Sequence, residues 1–139
     1  MIRELCKDEA ILSTPCDPAT AEDAALAADL VEMLEADEDA ACIAANQVGV
    51  THAVVAYKDD NDAIHVMYNP KIRRAIGAFK TEETCLTQET ASKVTRFQKI
   101  QVLYQELKDG ELVDKKRDFN GWTAQIIQHM VDHCKGKLV

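Results

Sequence analysis

Residues 121–135 have the sequence GWTAQIIQHMVDHCK, which is the clearest structural pattern in the chain. Apolar residues and two histidines recur there at i, i+4, i+7 and i+11, a spacing that places them along one stripe of a helix. The stripe consists of Trp122, Ile126, His129 and His133. Because apolar residues also fill the neighbouring stripes, we predict that this helix is buried at the centre of the fold. Gly136 is expected to end it.

The chain before this helix combines one amphipathic helix with several strand patterns. Leucines at helical spacing predict a helix over residues 21–38, with Thr20 as its N-cap and Asp23 as the reciprocal partner in a capping box. Strands are predicted at 51–57, 64–68, 100–105 and 112–119, and the stretch 71–79 is only weakly strand-like. Asp109-Gly110 predicts a tight hairpin turn. The expected fold is α+β, with small antiparallel β-sheets packed around the central C-terminal helix and the N-terminal helix outside.

Length and charge limit the possible classes of function. The 139 residues fit a single domain, 1–139, and the excess of acidic side chains gives a net charge of −8. That charge argues against a nucleic-acid partner, because phosphate binding relies on clustered Lys and Arg. No apolar run approaches the roughly 20 residues of a membrane span, and no signal peptide is visible. An odd number of cysteines, five, then predicts reduced thiols in the cytoplasm.

Two histidines one helical turn apart suggest a metal site. His129 and His133 project from the same face of the predicted helix, so both imidazoles can reach one ion. Cys85, in the segment EETCLT, is the candidate third ligand. Two imidazoles and one thiolate leave a tetrahedral ion one open position, which is typical of a catalytic site. The alternative is that both histidines are hydrogen-bonded core residues and Cys85 is an inert buried thiol.

Three segments carry ordered motifs. Residues 40–49, AACIAANQVG, align with the pattern G-x-G-L-A-A-x-Q-x-G, residues 83–87, ETCLT, with E-G-C-L-S, and residues 128–133, QHMVDH, with Q-H-E-x-D-H, each with some substitutions. Asn69-Pro70 and Val94-Thr95-Arg96 also lie where similar residues are expected. With these motifs the chain resembles the peptide deformylase family, metallohydrolases that remove the formyl group from the N-terminal methionine of new bacterial proteins. The resemblance covers nearly the whole chain.

The resemblance implies a set of metal ligands and a substrate. Cys85, His129 and His133 would bind one divalent ion, iron(II) in the cell, with zinc, nickel or cobalt possible in purified protein. The partners would be peptides that begin with formyl-methionine. Some members of the family have a further C-terminal helix that contacts the ribosome, and no such helix is expected after Val139.

Further roles follow residue by residue from the same resemblance. Gln47 would donate its side-chain amide to the developing oxyanion, and the backbone N–H of Leu86 would be the second donor. Ile43, Cys42 and Arg96 would lie at the substrate, with Arg96 near the peptide backbone. Cys42 replaces a glycine of the pattern, as does Ala40, so its side chain could narrow the groove or approach the metal as an extra ligand. Thr84 replaces another glycine.

Met130 is the main departure from the family pattern, which has its catalytic glutamate at this position. A glutamate there takes a proton from the attacking water and delivers it to the leaving amine, whereas methionine transfers no proton. The loss of such acid–base help costs about 10²–10⁴ in rate. Glu82, Glu83 and Glu89 are candidate replacements, although we interpret Glu83 as a buried structural carboxylate.

Two functions are therefore compatible with the sequence. The first is a metal-dependent deformylase whose activity is strongly reduced. The second is a catalytically inactive, deformylase-like protein that binds metal, and formyl-peptide or another ligand, without turnover.

Overall fold

One antiparallel sheet of five strands organises the fold, with a helix against each face. The computed structural model describes residues 2–139, with the backbone alone for 88–90. The elements are α1 (Glu9–Leu12), α2 (Ala24–Ala36), β1 (Cys42–Ala44), β2 (Val54–Lys58), β3 (Ile64–Cys85), β4 (Gln88–Lys108), β5 (Glu111–Asn120) and α3 (Gly121–Cys134). The strands lie side by side in chain order, and each pairs antiparallel with the next. The predicted α+β class with a C-terminal helix against the sheet is confirmed.

Strand β2 separates two hydrophobic cores. Val55 and Tyr57 belong to the core that the sheet forms with α3. Val54 and Ala56 belong to the core formed with α2. Because successive side chains on a strand point to opposite faces, a wholly apolar strand can serve both cores at once. This arrangement puts α3 against one face of the sheet and α2 against the other.

The start of α2 follows the predicted capping box. The Thr20 hydroxyl accepts a hydrogen bond from the Glu22 N–H, and the Asp23 carboxylate accepts one from the Thr20 N–H. The first turn, Ala21–Asp23, is a 3₁₀ turn, and the α-helix proper runs to Ala36. The helix ends two residues before the predicted boundary. The three residues that follow it are acidic, and negative charges are unfavourable beside the negative end of a helix dipole.

The largest difference from the predicted strands is the length of β3 and β4. They form one hairpin of about twenty residues a side, whereas the sequence predicted a strand only at 64–68 and again from residue 100. The middle of this ribbon is exposed, and the less exposed side of its outer end includes polar residues such as Thr81, Glu83 and Arg96. Its sequence therefore lacks the alternation between apolar and polar residues on which the prediction relied. The result is one continuous sheet in place of several small ones.

Both turn predictions based on glycine agree with the structure. Asp109 and Gly110 have φ values of 51° and 80°, as a tight hairpin turn between β4 and β5 requires. Gly136 has a φ of 77° directly after α3. A Cβ at Gly136 would lie 2.7 Å from the Ser13 carbonyl oxygen and 2.8 Å from the Pro15 nitrogen. Gly136 thus ends the helix and lets the N-terminal segment approach it closely.

Within residues 2–139, no helix is long and apolar enough to cross a membrane.

Replacing Gly110 or Gly136 with alanine distinguishes the cost of a positive φ alone from the cost of a positive φ combined with a steric clash. We expect Gly110→Ala to lower the free energy of unfolding by about 1 kcal/mol, because its φ is positive but no atom lies within 4 Å of the added Cβ. Gly136→Ala should cost about 3 kcal/mol, since the Cβ also meets backbone atoms. Urea denaturation of both variants measures the difference, and equal losses would contradict the close approach at Gly136.

Candidate metal centre

Three donor atoms from two distant segments converge at the end of β3. The Nε2 atoms of His129 and His133, one turn apart on α3, are 3.0 Å from each other. Cys85 is the last residue of β3, and its Sγ and the imidazole nitrogens all lie within 4.8 Å of one another. The long β3–β4 hairpin therefore brings the thiol to the helix face that bears the two imidazoles.

The Cys85 thiol is set up as a thiolate. Burial works to raise its pKa, but hydrogen bonds with His129, His133 and Thr87 lower it to about 5. The Thr87 N–H lies 3.3 Å from the sulfur and its hydroxyl 3.1 Å away. Because the thiolate is the metal-binding form of cysteine, one soft anion and two imidazoles fit a single divalent ion with an open position.

A buried carboxylate orients the first histidine. Glu83 accepts a hydrogen bond from His129 Nδ1 at 2.8 Å, which leaves His129 Nε2 directed toward His133. The Arg96 guanidinium donates to both oxygens of Glu83 and, at 2.6 Å, to Asp132. Burial raises the pKa of Glu83, yet its hydrogen bonds from His129, Arg96 and Gln125 lower the pKa to about 2. A carboxylate behind a ligating imidazole fixes its tautomer and orientation.

Gln47 presents its amide N–H₂ to the same point. Its Oε1 accepts a hydrogen bond from the Ala44 N–H at 2.9 Å, so the amide has a defined orientation. Its Nε2 then lies 3.4 Å from Cys85 Sγ and 3.3 Å from the Thr87 hydroxyl. The side chain is buried on the 3₁₀ turn Ala45–Val48 that follows β1. A preoriented donor therefore lies beside the three candidate ligands.

A cavity of about 360 Å³ opens onto this cluster. Its walls include Gln47, Cys85, His129 and Met130, together with Cys42 and Leu86. The Met130 side chain is only 1 % exposed and also packs into the core between α3 and the sheet. Burial, with the negative charges of Cys85 and Glu83, raises the pKa of Cys42 to about 12, so Cys42 is a neutral thiol at the cavity wall.

Two of the predicted substrate residues do not lie at the cavity. The Ile43 side chain packs in the core formed with α2, because it alternates on β1 with Cys42 and Ala44. Arg96 is buried between Glu83 and Asp132, since two carboxylates hold its guanidinium away from the open space. Among the candidate replacement acids, Glu82 and Glu83 line the cavity, and the side chain of Glu89 lies outside the described residues.

Several residues of the site were missed at the sequence level. Asp39, Trp122 and Gln125 also line the cavity. Gln125 donates to Glu83 at 2.9 Å, and its position one turn before His129 on α3 was a usable signal. Gln128 accepts from the Phe97 N–H and donates to the Phe97 carbonyl, which joins α3 to β4. Trp122 was placed on the buried stripe, but it is 57 % exposed at the cavity rim.

Comparisons with known proteins agree on one family. The model of the polypeptide deformylase family matches residues 2–139. A peptide deformylase of Clostridium beijerinckii is 36 % identical over 140 residues, which covers all of both chains. Crystal structures of a class I type b peptide deformylase from Acinetobacter baumannii are also similar. The Met-Ala-Ser-bound structure has 26 % identity, a TM-score of 0.85, and coverage of 99 % of this chain and 97 % of that chain. The actinonin-bound structure has 27 % identity, a TM-score of 0.85, and coverage of 99 % and 95 %.

Removing the thiolate should remove the metal. We expect Cys85→Ser to weaken zinc binding about tenfold or more, because a serine hydroxyl is not deprotonated at neutral pH and binds the ion poorly. Cys134→Ser is the matched control, since Cys134 follows His133 in sequence but is not part of the three-donor cluster. Metal content after dialysis against a chelator measures both. Equal retention would remove Cys85 from the site.

Removing the arginine should destabilise the fold. Arg96→Met leaves the buried Glu83 carboxylate without its main counter-charge, so we expect a loss of about 3 kcal/mol in the free energy of unfolding. Arg74→Met is the control, because Arg74 is an exposed residue of the neighbouring strand β3. Chemical denaturation of both variants tests this, and a loss below about 1 kcal/mol in Arg96→Met would contradict it.

Proposed function

Because this chain belongs to the polypeptide deformylase family, we propose that it hydrolyses formyl groups from N-formyl-methionyl peptides in a metal-dependent reaction slowed by Met130. The observation that carries the proposal is the convergence of Cys85, His129 and His133 beside the Gln47 amide in one cavity. The similarity to a relative that binds Met-Ala-Ser supports the class of substrate, since that peptide is what remains when formyl-Met-Ala-Ser loses its formyl group.

Cys85, His129 and His133 would hold the ion, iron(II) in the cell, with zinc, nickel or cobalt as substitutes in purified protein. A bound ion of this kind acts as a Lewis acid that polarises a carbonyl group and acidifies water. The residues that contact the ligands would hold the ligating side chains in a fixed orientation. Glu83 holds the His129 ring, and Arg96 holds Glu83.

Gln47 and Leu86 would bind the oxygen of the formyl group. As the carbonyl carbon is attacked, negative charge develops on that oxygen, and donors already in place stabilise it without reorganisation. The Gln47 amide is fixed through its bond to Ala44. Leu86 stands in the turn between β3 and β4 and lines the same cavity, so its backbone N–H is the second proposed donor. Each such donor typically contributes about 3 kcal/mol to the transition state.

Because Met130 carries no titratable group, the site lacks the side chain that would transfer a proton during hydrolysis. Its side chain lines the cavity next to His129, where a carboxylate would accept a proton from water and pass it to the leaving amine. A thioether does neither at neutral pH. The expected deficit is about 10²–10⁴ in rate relative to a deformylase with glutamate at this position.

The carboxylates near Met130 differ in their ability to replace the missing glutamate as a proton acceptor. Glu83 is bound to His129, Arg96 and Gln125, and its lowered pKa keeps it from accepting a proton near neutral pH. Glu82 and Asp39 line the cavity with exposed side chains. Among the described carboxylates at the cavity, these two are the ones we propose as acid–base substitutes that act through water.

The alternative is a deformylase-like protein that binds metal and formyl-peptide, or another ligand, without turnover. The observation that favours it is that two side chains that transfer no proton at neutral pH, Met130 and Cys42, occupy the cavity wall. Cys42 stands where the family pattern has a glycine, so its thiol takes space beside Cys85 that glycine would leave open.

Restoring the carboxylate tests the proposal. We expect Met130→Glu to raise the rate of formyl-Met-Ala-Ser hydrolysis by about 10²–10⁴ over the unaltered protein, with both loaded anaerobically with iron(II). Met130→Gln is the control, because it has the shape and polarity of glutamate but accepts no proton. It should stay at the low rate. The measurement is release of formate, with iron content determined in each sample.

Two results would contradict the proposal in different ways. Equal, fast turnover by all three proteins would mean that Met130 does not limit the reaction. No turnover by any of them, with iron bound, would instead favour the alternative of binding without hydrolysis. A binding measurement with Met-Ala-Ser would then show whether the cavity accepts the peptide at all.

A further inference from the structure

We propose that Cys16 and Cys134 form a thiol–disulfide exchange site, in which Cys16 attacks a low-molecular-weight disulfide such as oxidised glutathione and Cys134 completes an internal disulfide. The site lies outside the cavity described above and requires no part of the hydrolytic reaction. The proposal therefore stands or falls independently of the deformylase activity.

The two cysteines are held together by the backbone. The Cys16 N–H donates to the Cys134 carbonyl oxygen at 2.8 Å, and the two thiols are close enough to shift each other's pKa. A disulfide joins residues whose α-carbons lie about 4.4–6.8 Å apart, so it requires direct neighbours such as these two. Both residues are partly buried.

The surrounding contacts keep this geometry fixed. Asp17 follows Cys16 and pairs in parallel with His52; its N–H donates to the Thr51 carbonyl at 2.8 Å, and its carbonyl accepts from the Ala53 N–H at 3.0 Å. On the other side, Gly136 lies against Ser13 and Pro15. The segment that carries Cys16 is thus attached to the sheet and to the end of α3 at the same time.

An imidazole that is paired with a carboxylate lies close enough to Cys16 to affect its charge. His52 Nδ1 is 2.8 Å from Asp23 Oδ1, and this contact raises the pKa of His52 toward the charged form. The hydrogen bond from Cys134 and the charge of His52 lower the pKa of Cys16, against the opposing effects of burial and of Asp17. The thiolate is the attacking form of cysteine, so these neighbours make Cys16 the attacking thiol of the pair.

The exchange is balanced in two steps. In the first, the Cys16 thiolate forms a bond to one sulfur of oxidised glutathione, the glutathione S–S bond breaks, and one glutathione leaves as a thiolate. In the second, Cys134 gives up its proton and attacks the Cys16 sulfur, which releases the second glutathione. The two protein thiols are oxidised, and one molecule of oxidised glutathione is reduced to two of glutathione. Reduced thiols remain the resting state, as a reducing cytoplasm would impose.

The experiment uses the full-length, zinc-loaded protein, because bound zinc keeps Cys85 out of the exchange. The protein is incubated with oxidised glutathione, quenched by alkylation and mapped by mass spectrometry. We expect a Cys16–Cys134 disulfide as the main product. The oxidised protein should also have a higher Tm, since the bridge closes a loop that contains most of the chain.

Variants separate the two roles. Cys134→Ser should stop at the first step and accumulate glutathione on Cys16, with no rise in Tm. Cys16→Ser should form neither product. His52→Gln should give the normal product at a rate several-fold lower. Cys6→Ser is the control, because Cys6 is a partly buried cysteine outside this cluster, and it should behave as the unaltered protein.

Three outcomes would overturn the proposal. One is glutathione that stays on Cys16 in the unaltered protein, and another is first reaction at Cys6. The third is a failure of Cys134→Ser to accumulate the mixed disulfide while its circular dichroism spectrum remains native. An unchanged rate in His52→Gln would overturn the role assigned to that imidazole.

Discussion

The rest of the site depends on the hydrogen bonds and ion pair that the buried Glu83 carboxylate makes. It lies on β3 and binds Arg96 from β4, and His129 and Gln125 from α3. A charge removed from water must be paired, so burial of Glu83 requires the hairpin and the helix to meet in one arrangement. That arrangement also brings Cys85, two residues along the same face of β3, to the imidazoles. One buried anion therefore joins the architecture of the sheet to the geometry of the metal site.

Much of this site could be predicted from local patterns. The helical spacing of His129 and His133 and the motif around Cys85 were sufficient to propose the three ligands, which the structure brings together. The position of Arg96 was not predictable in the same way, because its partners are 13 and 36 residues away in the sequence. Nothing local distinguishes an arginine that binds two buried carboxylates from one that contacts a substrate. In the structure Arg96 binds the carboxylates of Glu83 and Asp132.

The strands also divide into those that the local sequence predicts and those that depend on long-range pairing. Val54 to Tyr57 alternate between two cores and were predicted, as was the turn at Asp109. The outer part of the β3–β4 ribbon was not, since its middle is exposed and the buried side of its end carries polar residues such as Glu83 and Arg96, so no apolar alternation marks it in the sequence. There the pairing of one strand with the other, a long-range property, determines the structure. Met130 illustrates a third case, because its burial fits the fold while its chemistry does not fit proton transfer.

The separation of the ligands along the chain has a thermodynamic consequence. Cys85 stands at the tip of a hairpin and the two histidines on the last helix, so an unfolded chain does not hold the three donors together. An ion that binds only the folded form shifts the folding equilibrium by mass action. Once the ion is in excess over its dissociation constant, each tenfold rise in free metal adds about 1.4 kcal/mol to stability. Metal supply in the cell would then set part of the stability of this protein, whatever its rate of turnover.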